Sequence, residues 1–204
     1  SLKVAYFTDN RVSPADQAIQ LIVKNAALAL RDEVALVVED RPVCIDQAFA
    51  LHWDLFLGGD KGASFKQGLR ELGVKDLSWE LQEFQRQAEL CEFSVSQLRE
   101  RLAEIDQFRF NMLSFMRNYD VLISPVFPTV AKPHGIGIKE ISDFSYAMAH
   151  NLTGWPTAVV RCGTSAEGLP IGVMIAAKPW QDTTALAIAE RLEDIFGGWI
   201  APPL

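Results

Sequence analysis

Apolar side chains along this chain change their spacing twice. Leu2 to Thr8 is a short β-rich apolar run that predicts a strand. It is followed by Ser13-Pro14-Ala15-Asp16, where Ser13 suits a helix cap, Pro14 the first helical turn and Asp16 the capping-box position. Ile19, Ile22, Val23, Ala26, Ala27 and Leu30 then recur at helical spacing, so the helix they predict buries one stripe. Val34 to Val38 reads as a buried strand. Strand, helix and strand with short connections predict a right-handed parallel crossover. Thr8-Asp9-Asn10-Arg11-Val12 carries no glycine where a pyrophosphate needs close backbone approach, which argues against a Rossmann-type site.

From about residue 45 to 118 the pattern is helical, punctuated by Gly58-Gly59 and Gly73, and predicts a mainly helical layer. Its clearest element starts at Ser94, with Gln97 completing a capping box. One face carries Leu98, Leu102, Ile105, Phe108, Met112, Phe115 and Tyr119. Val121 to Ser124 reads as a strand, and Pro125 to Pro133 as a Pro-rich loop of the length that is often functional. Thr157 to Gly163 and Ile171 to Ala177 are β runs whose short connection predicts an antiparallel hairpin with Gly168 at the turn. Asp182 suits the cap of a last helix whose stripe is Leu186, Ala189, Leu192 and Phe196, ended by Gly197-Gly198. The fold class is α/β, a mixed β-sheet flanked by helices, expected as one domain over residues 1–204.

The 204 residues carry 19 basic and 26 acidic side chains, a net charge of −7, which argues against a nucleic-acid partner. No apolar stretch approaches the roughly 20 residues that cross a bilayer, so no membrane span is expected. Cys44, Cys91 and Cys162 are odd in number and widely spaced, which suits a reducing, cytoplasmic setting. Ser1-Leu2-Lys3-Val4 has neither an initiator Met nor a signal-peptide layout, so the chain reads as a piece of a longer polypeptide.

Candidate chemistry is sparse. There is no G-x-S-x-G elbow and no Ser followed three residues later by Lys. Cys162 lies beside Arg161, a cation able to lower its pKa, although a small buried strand residue is the plainer reading. His52, His134 and His150 lack metal-type spacing, so neither metal nor cofactor is expected. His150 reads as a hydrogen-bonded structural histidine and His134 as a solvated loop residue. Gly135-Ile136-Gly137-Ile138-Lys139 loosely resembles a phosphate loop but lacks the G-K-[ST] ending. The residues alone assemble no catalytic group.

Three segments, taken in order, resemble the C-terminal part of an amidase signature hydrolase. They are Tyr119-Asp120-Val121-Leu122-Ile123-Ser124-Pro125-Val126-Phe127-Pro128-Thr129-Val130-Ala131, then Asn151-Leu152-Thr153-Gly154-Trp155-Pro156-Thr157-Ala158, then Gly168-Leu169-Pro170-Ile171-Gly172-Val173-Met174-Ile175. The resemblance implies hydrolysis of a carboxylic amide by a Ser, cis-Ser, Lys triad. No member of that triad is found here, because its Gly-Gly-Ser-Ser-Gly-Gly type loop is missing. This chain is therefore expected to be inactive alone and to need an N-terminal catalytic half.

By the same resemblance the chain supplies a substrate-facing wall for a small-molecule amide, from Phe127, Thr129, Asp143, Phe144, Tyr146 and Asn151. Asp143 is open to a second reading, as a helix N-cap. Arg161 stands where the family often has Pro, and Met174 where it often has Gln, which bears on substrate subclass. The alternatives are a free-standing, non-catalytic ligand-binding or scaffold module and part of the A-type component of an amidotransferase. A sheet cut between strands would leave an apolar face, so a homodimer is a possible outcome.

Overall fold

The computed structural model describes residues 2–135 and 137–201, without the side chains of 137–139. Five strands among these residues form one mixed sheet: β1 (Lys3–Tyr6), β2 (Leu36–Glu39), β3 (Val121–Pro125), β4 (Thr157–Thr164) and β5 (Pro170–Ala177), in the order β2-β1-β3-β5-β4. β1 runs parallel to β2 and, in the register Val4 to Val121, parallel to β3. β3 and β5 are antiparallel, as are β5 and β4. All five residues of β3 are buried, which requires cover on both faces and explains the apolar run Val121-Leu122-Ile123.

α1 (Gln17–Ala29) is the crossover between β1 and β2, and α7 (Asp182–Phe196) packs with it against β4 and β5. The segment between β2 and β3 holds α2 (Gln47–Leu57), α3 (Ala63–Glu71), α4 (Trp79–Leu90) and α5 (Val95–Phe115). α2 and α5 pack against each other and against α6 (Ser145–Thr153), which follows a 3₁₀ segment, Gly137–Phe144. The core joins Val4, Ile123 and Ile175 of the sheet to Val23 and Leu192 on one side and Phe108 and Met112 on the other elements.

Local signals placed several elements. The Ser94 hydroxyl accepts from the Gln97 N–H and the Gln97 side chain accepts from the Ser94 N–H, so the α5 capping box is present. The β4–β5 turn has Gly168 at φ +84°, a conformation that favours glycine. The Ser165 hydroxyl braces it by accepting from the N–H groups of Glu167 and Leu169.

Four expectations need correction. α1 starts at Gln17 and Asp16 is its N-cap without a side-chain cap bond, because the loop before it is held elsewhere: the Ser13 hydroxyl donates to Asp143 and the Asp16 N–H to the Pro128 carbonyl at 2.7 Å. β2 is a half-exposed edge strand, paired with β1 alone among the described strands. On α5 the stripe is buried at Ile105, Phe108 and Met112 but open at Leu98 (40% exposed) and Leu102 (46%). Gln181 caps α7, with Asp182 its first helical residue, and Leu186 faces out at 62% exposed. Of the loosely phosphate-loop-like run, Ile136 lies outside the described residues.

Candidate functional site

The chain leaves β1 toward β2 on one side, while β3 lies on the other, so strand order reverses at β1. In open α/β sheets the crevice outside the carboxyl ends of strands at such a reversal is where ligands bind. Here the loop after β1 meets the loop after β3, and side chains from residues 10–16 and 127–146 interlock.

Asn10 is the hub. It is 1% exposed; its Oδ1 accepts from the N–H groups of Val12 (3.0 Å) and Ser13 (3.1 Å), forming an Asx turn. Its Nδ2 donates to the Ser145 hydroxyl at 2.7 Å. The Tyr146 hydroxyl donates to the Ser13 carbonyl at 2.8 Å, and burial pushes the Tyr146 pKa up to about 12, so it stays a donor. Asp143 accepts from the Ser13 hydroxyl on one oxygen and from the Lys132 ammonium on the other, while Lys132 also pairs with Glu140.

Burial opposes the charge of Lys132, but its bonds to Asp143 and Glu140 raise its pKa above the ordinary value. It is thus held protonated and is the wrong form for a base to Ser13. A serine facing only a paired carboxylate and a charged ammonium is not an activated nucleophile.

Phe127 and Phe144 meet edge to face with centroids 5.2 Å apart, and the Lys132 ammonium lies 5.6 Å from the centre of the Phe127 ring. Phe127 and Thr129 line an apolar cleft of about 260 Å³ together with Ile19, Val126, Val159 and Gly172. A Cβ on Gly172 would come within 2.9 Å of Val159, so glycine keeps this cleft open.

Of the residues expected at the site, Phe127, Thr129, Asp143, Phe144 and Tyr146 thus fall in one neighbourhood. Asn151 does not join it: it is exposed on α6. Asp143 is not an N-cap, because α6 starts at Ser145 behind Phe144 and has no side-chain cap bond. Asn10, Ser13 and Lys132 were not singled out as site residues from the sequence. An Asn opening a turn after a strand was the available signal for the first; nothing in the spacing pointed to the other two.

Other candidates resolve into structural roles. The Arg161 guanidinium donates to the carbonyls of Gly198 (2.6 Å) and Phe196 (3.1 Å), closing the end of α7 rather than facing substrate. Burial pushes the Cys162 thiol up to about 11 despite Arg161, which removes it as a nucleophile. His150 is buried beside Trp155, and its Nδ1 meets no hydrogen-bond partner among the described residues, contrary to the expected bonded histidine. Met174 is buried in β5, and His134 is exposed in its turn.

A second apolar cavity, of about 560 Å³, lies in the helical layer between Trp53, Phe56, Phe65, Leu81, Phe84 and Ile141. The helical pattern of that layer carries no sequence signal for this cavity.

A family model described as Amidase matches residues 1–186. The sequence is 32% identical over 97 residues to fatty-acid amide hydrolase 2 of Homo sapiens, a match covering 48% of this chain and 18% of that protein. It is 31% identical over 107 residues to the A component of the glutamyl-tRNA(Gln) amidotransferase of Acidobacterium capsulatum, covering 50% and 21%. The structure of 6-aminohexanoate cyclic dimer hydrolase superposes with a TM-score of 0.81 at 19% identity over 99% of this chain and 46% of that one, a likeness of fold. The chain therefore spans less than half the length of these relatives.

Proposed function

Because this chain belongs to the amidase family, we propose that it is the C-terminal part of an enzyme hydrolysing a carboxylic amide to an acid and ammonia or an amine. The observation that carries this reading is the apolar cleft beside the strand-order reversal, walled by Phe127 and Thr129. Its lining is suited to an uncharged acyl or aryl group. The aromatic cavity of the helical layer supports an apolar substrate in the same sense, as does the fatty-acid amide for which the human relative is named.

In this reading the chain binds and orients, and the chemistry comes from the remainder of the polypeptide. There a serine hydroxyl attacks the carbonyl carbon, its proton passes through a second serine and lysine to the leaving nitrogen, and water releases the acid. Such a step needs an activated hydroxyl and preorganised oxyanion donors in one place. The residues described here assemble neither.

The solvent-accessible surface, 11,686 Å², exceeds the roughly 9,500 Å² expected of a compact monomer of this mass. That excess supports a covering partner, first of all the catalytic half and alternatively a second copy. The amidotransferase relative supports a second reading, a component of a larger assembly.

The test is a serine-directed fluorophosphonate probe applied to the full-length polypeptide alongside ammonia release from a panel of amides. Labelling upstream of this segment with amide turnover is expected. Stoichiometric labelling of a serine within residues 1–204, or no turnover of any amide, would overturn the reading.

A further inference from the structure

Glycine inside a strand weakens it, and its presence marks a bulge or the close approach of another group to the backbone. β5 carries one at Gly172, between Ile171 and Val173. The φ of Gly172 lies outside the left-handed region, so the backbone itself does not call for glycine. The neighbouring bulge does not call for it either, because the register shift between Arg161 and Gly163 puts the extra residue in β4. What a Cβ at position 172 would meet is Val159 at 2.9 Å and Val126 at 3.5 Å, two of the residues that wall the cleft with Ile19 and Phe127. The space left by the absent side chain is thus the floor of the cleft.

Among the described residues no charged side chain lines the cleft, and the Thr129 hydroxyl already donates to the Val130 carbonyl. An occupant meets no charge and no free side-chain donor, and gains from apolar burial. A dry apolar cavity of about 150 Å³ holds a benzene ring. The cleft measures about 260 Å³, room for a phenyl ring and a short alkyl linker. From this arrangement we infer that Gly172 and Val159 are specificity-determining residues, the floor and the rim of a cleft that takes the phenyl ring of an arylalkanoyl amide.

The inference rests on the preceding reading, in which the acyl group lies against Phe127, and it names the class of acyl group. Val159 is 57% exposed, so its replacement reshapes the cleft without disturbing the core. That makes it the variant of choice should a side chain at position 172 prevent folding.

The experiment compares acetamide with 3-phenylpropanamide as substrates of the full-length enzyme. The phenyl amide should be preferred in kcat/KM by about 10- to 100-fold, the range expected for burying one aromatic group. Gly172→Ala raises the floor and Val159→Trp closes the rim; each should cut that preference by about 10-fold, with kcat/KM for acetamide within about threefold. Val159→Ala widens the cleft and should improve 3-(2-naphthyl)propanamide relative to the phenyl amide by about fivefold. No preference in wild type, an unchanged preference in Val159→Trp, or an equal fall on both amides in that variant would overturn the inference.

Failure of wild type to hydrolyse any of these amides would count against the amidase reading instead. The present inference is then decided by propylbenzene, which should raise the Tm of the wild-type protein more than that of Val159→Trp. An equal rise, or none, would overturn it.

Discussion

His150 ties a single proton to folding. Burial takes its pKa from the ordinary 6.5 down to about 4, and its Nδ1 is unbonded among the described residues. The unfolded chain therefore takes up that proton more readily than the folded one. The contribution of the neutral ring is complete above pH 6.5 and is lost as pH falls toward about 4, a difference of roughly 3 kcal/mol. His150→Leu, which removes the titration and the orphan nitrogen, should flatten the acid side of stability in this window. Urea midpoints for wild type and variant on either side of the window check it, and parallel curves would assign the acid loss to other groups. The network around Asn10 was hidden at this scale, since its partner Ser145 is 135 positions away and no local pattern announces the pair.

Elements end where their backbone groups find partners, and α7 shows how far a partner can be. Gly197 at φ +78° turns the chain, and Arg161, from the neighbouring strand β4, donates to the carbonyls of Phe196, the last helical residue, and of Gly198. By sequence Arg161 stands where the family often has Pro and bears on substrate subclass; in the fold it is a helix clasp. Arg161→Ala should cost about 1–2 kcal/mol, the scale of charge-assisted bonds to partly hydrated carbonyls. Faster amide exchange at residues 197–200, with KM unchanged in the full-length enzyme, is the expected result. A change in KM without added exchange would instead tie Arg161 to substrate subclass. Helix α1 carries the complementary lesson: its start moved from the cap suggested by Ser13 to Asp16 because Ser13 is used by Asp143.

At the scale of the molecule the apolar pattern is wider than the buried core. On α5, Ile105, Phe108 and Met112 are covered, whereas Leu98, Leu102 and Leu113 occupy the adjoining flank and remain exposed. Exposed leucines along the flank of a buried stripe are what a covering partner would bury. Hydroxyl-radical oxidation of Leu98, Leu102 and Leu113 should fall by about threefold or more in the full-length polypeptide relative to the isolated chain, as expected for side chains moved from water into a packed interface. Equal oxidation would leave this flank free and favour the self-standing binding module.

The crossover, the α5 cap, the β4–β5 hairpin and membership of the amidase family were all legible in the sequence. Each rests on residues a few positions apart: a hydroxyl reaching the third amide along, a glycine at positive φ, a period of three and four, an ordered run of motif residues. The tertiary structure alone decided which of the periodic apolar positions are covered, that β2 is an edge, and where the crevice opens. It also decided that Lys132, in a Pro- and Gly-rich loop without periodicity, pairs with Asp143 and Glu140. These outcomes depend on the pairing of β1 with β3, whose partners Val4 and Val121 lie far apart in the chain. Nothing local specifies which distant side chains such a pairing brings within hydrogen-bond reach.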